Sequence, residues 1–162
     1  MFNIGWMIVT KKHMKFIDYI EPNIIDLNIP FSSKKRLFEQ LAVKMGENTK
    51  EVRMIYDSLV QREKIGTTSL GNGVAMPHGK CLDDKEVRIR IMVLNKPVNY
   101  ESVDSTLVQL IVCIIFPKDV DESHDFLLKR IGGFFKKHRI FRELVSAESA
   151  KEIKNIILKE SI

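Results

Sequence analysis

Residues 62–80 read REKIGTTSLGNGVAMPHGK, and this stretch differs in character from the chain on either side of it. Its part from Ile65 to Gly79 holds four of the eight glycines in the protein and shows no helical periodicity. The Gly-Asn-Gly sequence at 71–73 is typical of a tight turn. We therefore expect two short extended segments, at 66–69 and 74–76, joined by this turn.

A histidine in a restricted setting follows the second segment. Pro77 fixes its own φ angle and biases the preceding residue toward an extended conformation. Gly79 places no side chain beside the imidazole of His78, so a bulky group can approach. A histidine at the end of a strand with open space beside it is suited to act as a nucleophile or proton carrier. From these residues alone, a turn histidine without a chemical role stays an open alternative.

Two helices are predicted before this stretch. Apolar residues recur at spacings of three and four from Lys34 to Met45, after a possible N-cap at Ser32 or Ser33 and before Gly46. A second helix is predicted from about residue 49 to Glu63, with Asn48 as the first residue of a capping box. Together they indicate an αα-hairpin.

Strands and then helices are predicted after the stretch. Residues 88–94 alternate, with Ile89, Ile91 and Val93 on one side and Arg88, Arg90 and Met92 on the other. Residues 108–116 are almost continuously apolar, which is typical of a strand buried on both faces. Helical periodicity returns at 121–137, 139–144 and 150–159. This order predicts an α/β single-domain sandwich, with a mixed sheet of about five strands flanked by helices.

Length and composition agree with one globular domain. The chain has 162 residues, of which 44% are hydrophobic and 29% charged. These values exclude a disordered, fibrous or membrane-embedded protein. The net charge of +5 favours acidic or phosphorylated partners only weakly. Two cysteines do not make a disulfide framework, so we expect a reducing, cytoplasmic setting.

The N-terminal residues differ in character from the rest of the chain. Residues 1–10 are mostly apolar and are followed by Lys11 and Lys12, the reverse of the order in a signal peptide. The segment is also shorter than the roughly 20 residues that span a bilayer. We expect residues 1–14 to be an N-terminal extension, with Met14 as an alternative start, and residues 15–162 to form the domain.

Residues 62–80 closely resemble the active-site signature of enzyme IIA proteins of the fructose–mannitol type, in the bacterial phosphoenolpyruvate-dependent sugar phosphotransferase system. The arginine, the glycine turn and Pro-His-Gly come in the family's order and spacing. The resemblance extends more weakly from about residue 15 to residue 160. The Gly-Asn-Gly and Pro-His-Gly-Lys sequences look most like the nitrogen-regulatory branch, whose members are free-standing. No cofactor and no metal are implied.

The resemblance implies roles for three residues. His78 would accept a phosphoryl group from a histidine phosphocarrier protein, by the family's pattern on Nε2. Arg62 would bind the phosphoryl oxygens, since its planar guanidinium suits a phosphate. His124 matches a second active-site histidine at the start of the helix after the long strand. The family usually has Leu after this histidine, whereas this chain has Asp125. Without the resemblance, Arg62 would be interpreted as a helix-terminal cation.

Weaker expectations concern the neighbouring residues. Thr68, rather than Thr67, is the closer match to a threonine that could contact the phosphate, and Gly79 is predicted to bind phosphate too. Lys80 is expected to be solvated. The basic residues around His138 are typical of a solvated helix end, so nucleic acid is not an expected partner.

Three functions follow from these observations. The first is a phosphoryl carrier that acts mainly as a nitrogen-regulatory signalling protein, binding target proteins differently when phosphorylated. The second is a sugar-transport component that passes the phosphoryl group to a cysteine of a IIB domain. The third is an interaction module that is never phosphorylated. The simultaneous presence of His78, Arg62 and His124 argues against the third.

Overall fold

The computed structural model describes residues 16–84, 86–119 and 122–160. In this part of the chain six strands form one mixed sheet, with helices on both faces. The strands are β1 (Ile25–Ile29), β2 (Ser69–Gly71), β3 (Val74–Ala75), β4 (His78–Leu82), β5 (Arg88–Val98) and β6 (Val108–Pro117). The helices are α1 (Lys34–Met45), α2 (Thr49–Ile65), α3 (Glu122–Phe135), α4 (His138–Val145) and α5 (Ala150–Glu160), with short 3-10 helices at Phe16–Tyr19 and Pro22–Ile24. The expected mixed α/β sandwich is confirmed, with one strand more than the five predicted.

The sheet is built around β5 and β6. These strands pair antiparallel, with Ile91 opposite Val112. β1 runs parallel to the outer edge of β5, and β3 and β4 run parallel to β6. β5 covers one edge of β6, so β3 and β4 lie one after the other along its second edge. β2 completes the order β1-β5-β6-β3-β2 by pairing antiparallel with β3.

The side chains of β5 alternate between the two faces as predicted. Ile89, Ile91 and Val93 lie in the apolar core between the sheet and α3, α4 and α5. Met92 lies in the second core, which α1 and α2 cover. Arg88 points to the same side, where its Nη1 donates to the carboxylate of α2 residue Glu51 at 2.8 Å. The sheet is therefore buried on both faces, as the apolar sequence of β6 predicted.

Side-chain caps fix where the first two helices begin. Ser33 Oγ accepts from the backbone N–H of Arg36 at 3.2 Å, and Asn48 Oδ1 accepts from that of Glu51 at 3.0 Å. The Glu51 carboxylate in turn accepts from the N–H of Glu47 at 2.8 Å, one residue before the cap, so the arrangement differs from a capping box, in which the N–H of Asn48 would donate. The predicted αα-hairpin is confirmed.

Two strand predictions need correction, and one strand was missed. The segment expected at 66–69 pairs only from Ser69, because α2 continues to Ile65 and residues 66–68 belong to no strand. His78 begins a strand instead of ending one. Pro77 has no N–H, which separates β3 from β4, yet its carbonyl still accepts from the N–H of Ile114 at 3.1 Å. β1 was not predicted at all.

The expected N-terminal extension at residues 1–14 lies outside the described residues. No helix in the described part of the chain has the length and apolar content needed to cross a membrane.

Candidate functional site

A rigid hairpin leads the chain into the site. Gly71, Asn72 and Gly73 all have positive φ angles, of 79°, 54° and 83°. Glycine adopts this conformation without strain, and asparagine tolerates it better than most residues. The carboxylate of Asp104 accepts from the backbone N–H of Asn72 at 2.9 Å and holds the turn in place. The predicted glycine turn is confirmed, and it fixes the position of β3 and hence of β4.

The imidazole of His78, the first residue of β4, has both ring nitrogens engaged. Nδ1 lies 2.9 Å from the carbonyl oxygen of Met76, and Arg62 Nε lies 3.1 Å from Nε2. A carbonyl only accepts and a guanidinium N–H only donates. Nδ1 therefore carries the proton, and Nε2 presents its lone pair to Arg62. These two contacts define the neutral tautomer whose nucleophilic nitrogen is Nε2.

The surroundings of His78 favour the neutral ring. Burial lowers the pKa of His78 below its ordinary value, and the positive charges of Arg62 and Lys80 lower it further. The bond to the Met76 carbonyl and the negative charge of Glu63 act in the opposite direction without cancelling the effect. At neutral pH the ring is consequently uncharged and can act as a nucleophile.

Arg62 is held from two sides. It lies in the last turn of α2, where its Nη1 donates to the carbonyl oxygen of Gly66 at 3.0 Å while Nε donates to His78. The structure thus brings together the two residues that the sequence placed 16 positions apart. Since no described residue accepts a hydrogen bond from its Nη2, this side chain can also donate to an anion near Nε2.

The structure explains the glycine at position 79 differently from the sequence analysis. An added Cβ would lie 2.9 Å from Cβ of Ser58 and closer still to its Oγ. The expected open space on this side is therefore filled by α2, and the prediction that Gly79 clears an approach to the imidazole is wrong. The glycine instead lets α2 pack closely on β4, where Ser58 Oγ accepts from the N–H of Lys80 at 3.0 Å. Its predicted contact with phosphate stays a prediction. Lys80 itself is exposed, as expected.

Thr68 is buried and its side chain is engaged away from His78. Its Oγ1 donates to the carboxylate of Glu63 at 2.5 Å and lies 3.3 Å from the hydroxyl of Tyr100. Because a threonine hydroxyl has one hydrogen, this bond must break before Thr68 could donate to a phosphoryl oxygen. Thr67 accepts from the N–H of Ser69 at 3.3 Å.

His124 lies in the first turn of α3, as expected. Its ring is buried and packs edge-on against Phe116, with the ring centres 5.2 Å apart. Phe116 is two residues along β6 from Ile114, the register partner of His78. Ile114 and Phe116 both lie in the core on the α3 side of the sheet. Because His78 is paired with Ile114, its Cβ points to this same face, and His124 packs there against Phe116. Asp125 is exposed.

Glu63 is the residue of this site that the sequence analysis missed. Its carboxylate accepts from Thr68 and from Nζ of Lys34, at 2.8 Å for the lysine, and its side chain is 11% exposed. A signal was present, since an acidic residue in the last turn of a helix opposes the helix dipole and needs another reason to be there.

Two further sequence expectations concern His138 and metal binding. His138 begins α4 and is exposed, as a solvated helix end would be. Among the described residues, no three His, Cys, Asp or Glu side chains are close enough to hold a metal ion.

The fold and the site together define a small α/β protein with a neutral histidine at the start of a strand and an arginine hydrogen-bonded to its Nε2. The sequence model of the family "Phosphoenolpyruvate-dependent sugar phosphotransferase system, EIIA 2" matches residues 18–160. The chain therefore belongs to this EIIA type-2 family, and within it to the nitrogen-regulatory branch described next.

The similar proteins of this branch match over most of their length. The chain is 31% identical over 145 residues to a nitrogen regulatory protein of Bradyrhizobium diazoefficiens, which covers 89% of this chain and 95% of the relative. It is 34% identical over 146 residues to a nitrogen regulatory protein homolog of Haemophilus influenzae, with 86% and 88% covered. The crystal structure of nitrogen regulatory protein IIA-Ntr from Neisseria meningitidis superposes with a TM-score of 0.80 at 30% identity, over 87% of this chain and 97% of that one.

Proposed function

We propose that this protein is a phosphoryl carrier that accepts its phosphoryl group on Nε2 of His78 from a phosphohistidine of a histidine phosphocarrier protein. The observation that carries the proposal is the fixed tautomer of His78. The Met76 carbonyl holds the proton on Nδ1, so the lone pair of Nε2 points at the guanidinium of Arg62. Membership of the phosphotransferase family supports the same chemistry.

The transfer step is simple in its atoms. The Nε2 lone pair forms a bond to phosphorus as the bond between phosphorus and the donor's imidazole nitrogen breaks, and the donor ring recovers its lone pair. The His78 ring keeps its Nδ1 proton and gains positive charge, which the Met76 carbonyl stabilises. Because the transition state of phosphoryl transfer is loose, the protein contributes mainly position and charge.

Arg62 exchanges one acceptor for another during this step. Its Nε–H now donates to the lone pair that will bind phosphorus, so this bond must break. The same N–H can then donate to a phosphoryl oxygen. The bond from Nη1 to the Gly66 carbonyl keeps the side chain nearby meanwhile. We assign His124 as the second donor, since it lies on the face to which His78 points, at the start of α3, where backbone N–H groups also favour an anion.

The output of phosphorylation is regulatory in this proposal. A phosphoryl group adds about −1.5 to −2 charges at one surface position, which changes how a target protein binds. The nitrogen regulatory relatives support this output over sugar transport. The proposed location is the cytoplasm, and the proposed partners are the phosphocarrier protein and regulated target proteins.

A labelling experiment tests the proposal. The protein is incubated with radiolabelled phosphoenolpyruvate, enzyme I and the phosphocarrier protein. We expect an acid-labile, base-stable label on the wild type and on His138→Ala, a control that removes an exposed histidine of α4, and no label on His78→Ala. An unlabelled wild type would indicate an interaction module. Rapid onward transfer to a IIB cysteine would indicate the sugar-transport role.

A further inference from the structure

Glu63 joins four parts of the structure through one carboxylate. Oε2 accepts from the backbone N–H of Thr68 at 3.0 Å and from its hydroxyl at 2.5 Å. Oε1 accepts from Nζ of Lys34 at 2.8 Å. Lys34 also donates to Glu101 at 2.9 Å and lies 4.5 Å above the ring of Tyr100. The last turn of α2 is thereby tied to α1, to the residues before β2 and to the loop after β5.

The same segment supports Arg62. Arg62 directly precedes Glu63, and the Gly66 carbonyl that accepts from Arg62 Nη1 lies between Glu63 and Thr68 in the chain. The two bonds to Thr68 close this short loop against α2. Fixing Thr68 therefore also fixes the acceptor that holds the guanidinium of Arg62 beside His78.

The charge of Glu63 is compensated within the network. Burial alone would lower the pKa of Lys34, but its hydrogen bonds and attraction to Glu63 and Glu101 outweigh this and raise that pKa. Lys34 thus remains an ammonium group. Its charge offsets the repulsion that Glu63 would exert on a phosphoryl group at His78.

We propose that Glu63 is a positioning residue for the reaction at His78, holding the loop at 66–68 so that Arg62 stays aligned with Nε2. This rests on the proposed phosphoryl-carrier function and adds a residue to it. Glu63 touches neither the reacting nitrogen nor the phosphoryl group, and it acts through Arg62.

The first test uses Glu63→Gln in the full chain. An amide has one accepting oxygen, so it cannot satisfy both Thr68 and Lys34, while its size is unchanged. We expect the maximal rate of His78 phosphorylation to fall about tenfold, because small misplacements of a catalytic group have effects of this size or larger. The KM for the phosphocarrier protein should change less than about twofold.

The matched control is Glu39→Gln on α1. Glu39 forms an ion pair with Arg36 at 2.9 Å and takes no part in the network around Glu63. Glu39→Gln therefore removes the same charge as Glu63→Gln without affecting the position of Arg62. The control should keep the wild-type rate. Equal losses in both variants, or a loss confined to KM, would overturn the proposal.

A second measurement uses the protein without any phosphoryl donor, so its outcome does not depend on the proposed function. Nitrogen-15 NMR follows the titration of the His78 ring and the hydrogen exchange of Arg62 Nε–H. In Glu63→Gln we expect the His78 titration midpoint to move to lower pH and Arg62 Nε–H to exchange faster. Thr68→Val removes one anchor and keeps the Glu63 charge, so it should speed the exchange without moving the midpoint. Wild-type exchange of Arg62 Nε–H in Glu63→Gln refutes the positioning role whatever the titration midpoint does, even if the wild type accepts no phosphoryl group.

Discussion

Replacing Gly79 by alanine tests why a glycine follows the reactive histidine. The new Cβ would lie 2.9 Å from Cβ of Ser58 and closer to its Oγ, so α2 and β4 must separate. Overpacking of this kind costs about 3 kcal/mol at its upper end. Alanine also lowers the conformational entropy of the unfolded chain, which stabilises the folded protein by about 0.7 kcal/mol and offsets part of this cost. We therefore expect Gly79→Ala to lower the free energy of unfolding by about 2 kcal/mol, and the Tm by about 4–8 °C.

A double-mutant cycle assigns this cost to the contact with Ser58. Ser58→Ala alone should cost about 1 kcal/mol, since it removes the bond from the N–H of Lys80. In the Ser58→Ala background, Gly79→Ala should cost less than in the wild type, because the nearest atom, Oγ, is gone while the close contact with Cβ remains.

The assay is urea unfolding, with Gly133→Ala as the control. An added Cβ at Gly133 of α3 meets no atom of the described residues within 4 Å beyond its chain neighbours and the backbone of its own helix, so that substitution should stabilise the helix by about 0.5–1 kcal/mol. A cost for Gly79→Ala below about 0.5 kcal/mol, or an equal cost in both Ser58 backgrounds, would refute the reasoning.

Three further predictions concern charge. Arg62→Ala should reduce the rate of His78 phosphorylation about a hundredfold in a single-turnover assay. The rate of Arg62→Lys should lie between those of the wild type and Arg62→Ala, because a lysine keeps the charge but lacks the planar donors. A wild-type rate in Arg62→Ala would contradict the role of Arg62. The titration midpoint of His78, followed by NMR, should lie below its ordinary value of 6.5, so the rate should persist under mildly acidic conditions; a midpoint above 6.5 would contradict the burial argument. Hydrogen bonds from Ser102 and Thr106 hold the pKa of the Asp104 carboxyl below its ordinary 3.8, so its stabilising effect is present above that pH and lost as pH falls below it. Asp104→Asn should therefore unfold at lower urea concentration than the wild type at pH 7, with a smaller difference at pH 3, and an unchanged difference would argue against this linkage.

Local sequence signals predicted much of the fold because they act within a few residues. The caps Ser33 and Asn48 and the alternation of β5 each depend on neighbours in the chain, and the structure confirms them. β1 carried such a signal too, since Ile25, Leu27 and Ile29 alternate with polar residues. The left-handed Asn28, with φ of 56°, interrupts its pairing with β5, and so short a strand is stabilised mainly by that long-range partner.

The site was predictable in its residues and less so in its geometry. His78 and Arg62 were expected together, and they lie within hydrogen-bonding distance. The tautomer depends on the Met76 carbonyl, the reason for Gly79 depends on Ser58, and the engagement of Thr68 depends on Glu63. Ser58 belongs to α2, far from Gly79 in the chain, so the local sequence does not specify its approach. Met76 and Glu63 are only two and five positions from their partners, but whether the groups meet depends on the path of the backbone between them.

The most direct test asks which ring nitrogen of His78 binds phosphorus. The nitrogen-15-labelled protein is phosphorylated through the phosphocarrier protein, and the phosphorus–nitrogen coupling is measured by NMR. The account predicts a one-bond coupling to Nε2, with Nδ1 still protonated. A coupling to Nδ1, or phosphorus on a residue other than His78, would contradict it.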